Sequence, residues 1–197
     1  SPTLLDRAGY TYDSTVGYND TVGYRAGTAQ VFKPLRATRL LELPLHVMDT
    51  ALFYPDYLGL SDEEAWSRVG PFMDDAARGG GVLTVNWHDR SIAPERLWGA
   101  FYVRLVGELT RKGALFCTAS QAVSWFRKRR SAVFERTGVE GRFCVRVTAN
   151  GDETLPALRL RFHRPRSSPK LVVKRENFRE NYTDIILNDR MESRFPN

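Results

Sequence analysis

The chain has 197 residues, of which 42 % are hydrophobic and 26 % are charged, and its formal net charge is +6. This balance excludes an intrinsically disordered chain, and no apolar run approaches the roughly 18 residues that a membrane-spanning helix needs. The positive charge is concentrated in two clusters, which attract nucleic acid, acidic polysaccharide or anionic lipid, or else form a solvated face: Arg127–Arg130 and Arg159–Arg175. We favour the solvated face and expect no nucleic-acid partner.

Two cysteines, Cys117 and Cys144, are too few for a disulfide framework. Both stand among apolar neighbours, so we predict two buried thiols, a reducing compartment and therefore a cytoplasmic location. The first residue is Ser1 rather than Met, and no signal peptide opens the chain. We therefore expect a processed, trimmed or partial product.

The first 135 residues alternate short apolar runs with helical patterns. The run Leu40–Leu45 predicts a strand. Ser61 and Glu64 have the spacing of a capping box, and apolar residues then recur at helical intervals until the three glycines at 79–81. Pro71 is expected to kink this helix or to split it in two.

The same alternation then repeats along the chain. Val82–Trp87 predicts a strand that helices cover on both faces. Pro94 suits the first turn of a helix, whose apolar stripe would be Leu97, Trp98, Phe101, Leu105 and Leu109. Ala114–Thr118 predicts the next buried strand. Ser120 would cap a last helix, whose inner face would be Ala122, Val123 and Phe126.

From about residue 137 the pattern changes to a period of two, which is typical of half-exposed strands. Phe143, Val145 and Val147 alternate with polar residues, Asn150-Gly151 favours a hairpin turn, and 158–162 alternates again. Short apolar runs at 171–173 and 185–187 indicate two more strands. The sequence thus predicts an α/β domain over residues 1–136 and a small antiparallel β module over residues 137–197.

Polar side chains follow two of the predicted strands. His88 comes directly after Val82–Trp87, and Asp49 comes shortly after the Leu-rich run. In parallel α/β folds, catalytic groups gather at the C-terminal ends of strands. An imidazole there can titrate near neutral pH and transfer a proton, although it can also merely join strand and loop by hydrogen bonding. Asp49 would face the same crevice or cap the turn that follows it.

A glycine- and tyrosine-rich segment at 10–28 contains Asp13 and Arg25. Asp13 would orient a base or a histidine, and Arg25 would hold a carboxylate, while the alternative is a plain glycine-rich loop. The chain has no phosphate-loop pattern, no G-x-S-x-G elbow, no CxxC pair and no HExxH motif. A self-contained zinc site is therefore not expected.

Several ordered motifs resemble the polysaccharide deacetylase family, the carbohydrate esterases that share the NodB homology domain. They are G-Y-T-Y-D-S-T at 9–15, G-Y-R-A-G-T at 23–28, L-E-L-P-L at 41–45 followed by Met48 and Asp49, and L-T-V-N-W-H at 83–88. The resemblance covers roughly residues 4–134. It implies a partial, irregular (β/α) barrel, the C-terminal part of such a domain, followed by the β module.

The resemblance also implies a chemistry. In that family one Asp and two His hold a divalent metal, usually zinc, a second Asp acts as base, and a late histidine protonates the leaving amine. His88 matches that histidine in order and setting. Asp13, Arg25, Asp49 and Trp87 become candidate residues for binding an N-acetylated carbohydrate.

The motifs that should carry the metal ligands, a T-F-D-D-G strand and an H-x-x-x-H helix, do not occur in this chain. About 130 residues are also few for a barrel, since complete ones run to ~200 or more. We therefore expect zinc to lack its ligands here, and the chain to be inactive as a de-N-acetylase unless another segment supplies them. An incomplete barrel leaves strand edges unpaired, which favours either a homo-oligomer or an unusual local fold.

Two other functions are compatible with the sequence. The first is a non-catalytic protein that binds glycan, with Tyr18, Tyr24 and Trp87 stacked on sugar rings. The second is nucleic-acid binding through the arginine-rich strands. We rank it last because these strands lack the aromatic signature of RNA-binding sheets.

Overall fold

The structure is a computed structural model and describes residues 1–136, 142–147, 155–163, 182–186 and 190–194. The chain divides into two compact units, Ser1–Val123 and Ser124–Asn197. This division precedes the change in sequence pattern near residue 137, because the strand Ala132–Arg136 pairs with the strand that follows it. Among the described residues, no helix has both the length and the hydrophobicity that crossing a membrane requires.

Unit 1 alternates very short strands with helices. Its strands are β1 (Tyr12–Asp13), β2 (Leu41–Glu42), β3 (Val47–Met48) and β4 (Val85–Asn86). Its helices are α1 (Pro2–Arg7), α2 (Asp49–Phe53), α3 (Asp62–Gly79), a 3-10 turn (Asp89–Ser91) and α4 (Gly99–Arg111), and α5 (Ala119–Arg130) crosses into unit 2. The predicted strands at 40–45 and 82–87 thus form, but each is only two residues long.

The strands of unit 1 pair in parallel. β1 lies beside β2, with Asp13 opposite Glu42, and β3 lies beside β4, with Met48 opposite Asn86. Within the described residues the sheets have two or three strands each, and none closes on itself. The partial barrel therefore stays a prediction, while the parallel pairing already places the ends of β3 and β4 side by side.

Helix α3 begins and ends where the sequence predicts. The Ser61 hydroxyl accepts from the Glu64 N–H (3.4 Å), and the Glu64 carboxylate accepts from the Ser61 N–H (2.9 Å), so the capping box is confirmed. Gly80 ends the helix in the left-handed conformation, with φ of 64°. Pro71 lies inside one continuous helix and does not split it.

Ser61→Ala is expected to lower the free energy of unfolding by about 1 kcal/mol, because the first turn of α3 loses its side-chain acceptor. Urea unfolding measures this change. Ser67→Ala, on the exposed surface of the same helix, is the matched control and should leave stability nearly unchanged. Equal midpoints for the two variants would show that the cap contributes nothing.

The core of unit 1 gathers the inner faces of α2, α3 and α4. Ala65, Val69 and Met73 of α3 are buried, and they meet Phe101 and Leu105 of α4. Helix α4 begins at Gly99 rather than near Pro94, so that prediction is wrong. Leu97 has φ of 62° and is 76 % exposed. A left-handed residue cannot continue an α-helix, and this turn removes Leu97 from the predicted stripe.

The predicted buried strand Ala114–Thr118 is absent. These residues have no regular structure, and Leu115, Phe116 and Cys117 are exposed. The buried thiol predicted at Cys117 is therefore wrong, whereas Cys144 is buried. An apolar run becomes a strand only when a neighbouring strand accepts its hydrogen bonds, and within the part of the chain that the structure describes none does so here.

Helix α5 is capped by Thr118 rather than by Ser120. The Thr118 hydroxyl accepts from the Gln121 N–H at 3.2 Å, and the Gln121 side chain accepts from the Thr118 N–H at 3.0 Å. This is a second capping box, two residues before the predicted cap. The predicted inner face is confirmed, since its three residues are buried: Ala122, Val123 and Phe126.

The strands of unit 2 pair antiparallel. They form one sheet in the order β5 (Ala132–Arg136), β6 (Arg142–Val147), β9 (Arg190–Arg194), and a second from β7 (Arg159–His163) and β8 (Tyr182–Ile186). Leu158 and Leu160 are buried while Arg159 and Arg161 are exposed, which confirms the alternation there. Cys144 is buried, as predicted for its thiol, although it alternates with Val145, which is also buried. The turn signal at 150–151 and the run at 171–173 lie outside the described residues.

Candidate active site

Two polar side chains are brought together by the parallel pairing of β3 and β4. Asp49 follows β3 and opens helix α2, and His88 stands two residues beyond β4. Because paired parallel strands end at the same edge of a sheet, residues just beyond them become neighbours although 39 positions separate them in the chain. Asp49 and His88 are thus in direct contact, while a crevice that would admit a ligand beside them stays a prediction.

The contact between Asp49 and His88 has two parts. The Asp49 Oδ1 atom lies 2.7 Å from the His88 Nδ1 atom. The Oδ2 atom accepts the backbone N–H of His88, also at 2.7 Å. One carboxylate thus holds both the main chain and the ring of His88, so the imidazole orientation is fixed at two points.

Asp49 is fully buried, yet its surroundings favour the ionised form. Burial opposes ionisation, but the polar groups of Ser91, His88 and Thr50 outweigh it and hold the pKa of Asp49 below its ordinary value. The Thr50 N–H donates to Oδ1 at 2.7 Å. Ser91 is also fully buried, and its hydroxyl makes no well-formed hydrogen bond among the described residues. Asp49 is therefore a buried anion stabilised by donors.

The pair leaves one nitrogen of the imidazole available. Since the Asp49 carboxylate accepts from Nδ1, the Nδ1 atom carries the proton and Nε2 is the nitrogen left for another group. The His88 side chain is 35 % exposed while Asp49 is not exposed at all. An imidazole with this support can take up a proton at Nε2 and pass it on, as in aspartate-oriented catalytic histidines.

Asp13, predicted as a site residue, lies elsewhere in unit 1. Its carboxylate accepts from the Ser14 N–H and the Thr15 hydroxyl, both at 2.9 Å. Across the β1–β2 pair stands Glu42, fully buried, whose Oε1 accepts from the Val16 N–H at 2.8 Å. Burial, with the charge of Asp13, raises the pKa of Glu42. Sequence reasoning overlooked Glu42, although a carboxylate within a Leu-rich run was the signal for it.

Arg25 braces the glycine-rich segment. Its Nη1 atom donates to the Gly17 carbonyl at 2.6 Å, and its guanidinium lies 5.8 Å from the Tyr18 ring centroid. Gly17 is required there because a Cβ would lie 2.7 Å from the Leu45 Cβ. Among the described residues, no hydrogen bond or ion pair joins Asp13 or Arg25 to the Asp49–His88 pair, so their place in a substrate site stays a prediction.

Trp87 is partly buried and packs against the aromatic core of unit 1. Its ring is parallel to that of Phe101 at 5.8 Å, and it also contacts Phe53 (6.1 Å) and Tyr102 (5.3 Å). Its Nε1 is buried and lacks a hydrogen-bond partner among the described residues. Packing of Trp87 thus anchors the end of β4 from which His88 projects, and direct contact with substrate stays a prediction.

His46 is a buried histidine whose ring contacts its neighbours in unit 1 through both nitrogens. Its Nδ1 accepts the Thr84 N–H at 3.2 Å, its Nε2 faces the Thr28 carbonyl at 3.4 Å, and the Tyr24 ring meets it edge-on at 5.2 Å. This geometry requires the neutral ring with its proton on Nε2. Burial accordingly lowers the pKa of His46 from its ordinary value of 6.5.

His46 is expected to make stability depend on pH. Its pKa is lower in the folded chain than in the unfolded chain, so its contribution is fully present above pH 6.5 and is lost as pH falls below it, by at most about 1.4 kcal/mol per pH unit. His46→Asn keeps an acceptor for Thr84 but does not titrate. Urea unfolding should show the stability gap between wild type and variant narrowing from pH 7.5 to pH 5.5. A constant gap would contradict this.

The described residues do not fit the metal that the resemblance implies. No group of three or more His, Cys, Asp or Glu side chains in this part of the chain lies close enough to hold a metal ion. The described residues do not form the set of one Asp and two His that holds the metal in the family that the motifs resemble, and we derive no step through zinc. Among the described residues, the Asp49–His88 pair is the arrangement able to transfer a proton.

Comparison with known proteins identifies no relative: no protein-family model, no curated protein and no solved structure matches this chain. The likeness to polysaccharide deacetylases therefore rests on the sequence motifs.

Proposed function

We propose that this chain provides the proton-transfer part of a carbohydrate de-N-acetylase, a hydrolase that removes the acetyl group from an N-acetylated sugar. The observation that carries the proposal is the Asp49–His88 contact at the ends of two parallel strands. A partly exposed imidazole that a fully buried carboxylate orients is an arrangement suited to a general acid.

In this proposal the products are an amine and acetate, with water consumed. The bond that breaks joins the acetyl carbon to the sugar nitrogen, and that nitrogen must gain a proton as it leaves. The Nε2 atom of His88 delivers this proton, and Asp49 stabilises the imidazolium before transfer. The motifs that resemble the deacetylase family supply the substrate class.

Acetate release tests the proposal. The protein is isolated from its natural source, its intact mass is measured, and it is incubated with the tetramer of N-acetylglucosamine at pH 7. The expected result is acetate and free amine in equal amounts, from a protein heavier than the 22.5 kDa of this chain. Binding of the tetramer without acetate release, with or without added zinc, would instead favour the glycan-binding alternative.

A further inference from the structure

A second cluster of side chains lies at the other end of helix α2. It consists of Tyr54, which follows α2, together with Arg96 and Trp98 from the turn before α4. The Arg96 guanidinium carbon lies 5.0 Å from the Tyr54 ring centroid and 5.2 Å from the Trp98 ring centroid. The two rings meet edge to face at 6.2 Å, so the guanidinium occupies an aromatic corner.

The corner holds Arg96 in place but does not use all of its hydrogen-bond donors. A guanidinium carries five N–H donors, so the hydrogen bond to Tyr54 leaves others able to bind a carboxylate. Among the described residues, no carboxylate lies within ion-pair distance of Arg96 or of Arg90. Hydrogen bonding and charge from Arg96, with a smaller effect of Arg90, hold the pKa of Tyr54 below its ordinary value, against the opposing charge of Asp56.

The corner is close to the Asp49–His88 pair. Asp49 begins α2 and Tyr54 follows its last residue, and five helical residues rise about 7.5 Å. Phe53 bridges the two places, because its ring stacks on Trp98 at 5.3 Å and meets Trp87 at 6.1 Å. This proximity is compatible with one glycan chain that reaches both places.

We propose that Tyr54, Arg96 and Trp98 form a subsite for an acidic sugar, whose carboxylate binds the Arg96 guanidinium while its ring lies against the aromatic corner. This inference rests on the proposed function and adds a substrate class: a glycan that carries uronic acid beside its N-acetylated sugar. Arg90, which is exposed on the preceding 3-10 turn (Asp89–Ser91), adds positive charge near Tyr54.

Binding without turnover tests the subsite. The probe is a tetrasaccharide alternating N-acetylglucosamine and glucuronic acid, and its matched control is the same tetrasaccharide with each carboxyl reduced to an alcohol. Affinity is measured by NMR titration of the 197-residue chain at low salt. The wild type should prefer the acidic form, and Arg96→Gln should weaken that binding about 10-fold to 100-fold while leaving the reduced form unaffected.

Arg104→Gln is the matched protein control. Arg104 also stacks on an indole, with its guanidinium 3.9 Å from the Trp66 ring centroid, but it lies on the α3–α4 surface. The variant removes the same charge and the same kind of contact as Arg96→Gln. Because Arg104 is not part of the proposed subsite, the affinities for both tetrasaccharides should stay unchanged. Arg96→Lys should bind with intermediate affinity, because it keeps the charge but loses the planar fork.

The outcomes separate this inference from the proposed function. Equal affinity of wild type for both tetrasaccharides, or equal losses in Arg96→Gln and Arg104→Gln, would overturn the subsite even if acetate is released. Tighter binding of a tetrasaccharide that carries sulfate groups in place of its carboxylates would overturn the assignment to a carboxylate. Arg96-dependent binding by the chain, together with no acetate release by the protein from its natural source, would establish the subsite and count against the deacetylase.

Discussion

His88→Ala is expected to reduce acetate release by the natural protein about 10²-fold to 10⁴-fold, the usual contribution of a positioned general acid. The reason is geometric: Nδ1 is committed to Asp49 at 2.7 Å, and Nε2 is the nitrogen left to deliver a proton. The value of kcat should fall, while the affinity for the N-acetylglucosamine tetramer changes little. Near-normal turnover in the variant would remove His88 from the mechanism.

Asp49 is a positioning residue in this proposal, so its substitution needs a readout beyond activity. In Asp49→Asn the carboxamide can offer an N–H₂ group to Nδ1, which favours the neutral ring with its proton on Nε2. Nitrogen-15 NMR of the imidazole should therefore report a changed tautomer, together with reduced turnover. Asp89→Asn, at an exposed carboxylate that accepts from the Arg90 N–H, is the control and should alter neither. An unchanged tautomer in Asp49→Asn would mean that the Asp49 carboxylate does not determine which nitrogen of His88 carries the proton.

Phe101→Ala is expected to lower the free energy of unfolding of unit 1 by about 3–5 kcal/mol, the usual cost of removing a buried aromatic side chain. Phe101 is 1 % exposed and lies at the centre of the aromatic core. Its ring contacts Phe53 at 5.1 Å, Trp66 at 5.9 Å and Trp87 at 5.8 Å. Neighbours on three sides cannot all move into the space, so a cavity remains.

Tryptophan fluorescence during urea unfolding measures this effect, because Trp66, Trp87 and Trp98 all lie in unit 1. Val103→Ala, at a site 70 % exposed on the same helix, is the control and should change stability by less than about 0.5 kcal/mol. Since Trp87 precedes His88, the cavity should also broaden the NMR signals of the His88 ring. A small stability loss in Phe101→Ala would show that the core repacks.

Local patterns predicted the elements whose stabilising contacts are themselves local. The ends of α3 follow from the Ser61–Glu64 spacing and from a glycine able to adopt φ of 64°, and both lie within one helical turn of the boundary. The same principle applies at α5. The Thr118–Gln121 capping box can be read from the sequence, although Ser120 is the cap that we predict from it.

Strands were predicted less well because their hydrogen bonds depend on distant residues. Leu40–Leu45 and Ala114–Thr118 look alike as apolar runs, yet within the described ranges of the chain only the first has strand partners, β1 and Phe32. The left-handed turn at Leu97 was equally hidden, since a leucine gives no local sign of positive φ. These outcomes depend on what the rest of the chain brings near.

The candidate site likewise combines features that follow from the local sequence with features that depend on distant residues. The order of residues along the chain is enough to nominate His88 and Asp49, because each follows an apolar run. The contact between them, the separate contacts of Asp13 and Arg25, and the aromatic corner around Arg96 become visible only in the folded chain. The physical reason is that residue type sets which bonds a side chain can form, while the pairing of strands and the packing of helices set its neighbours.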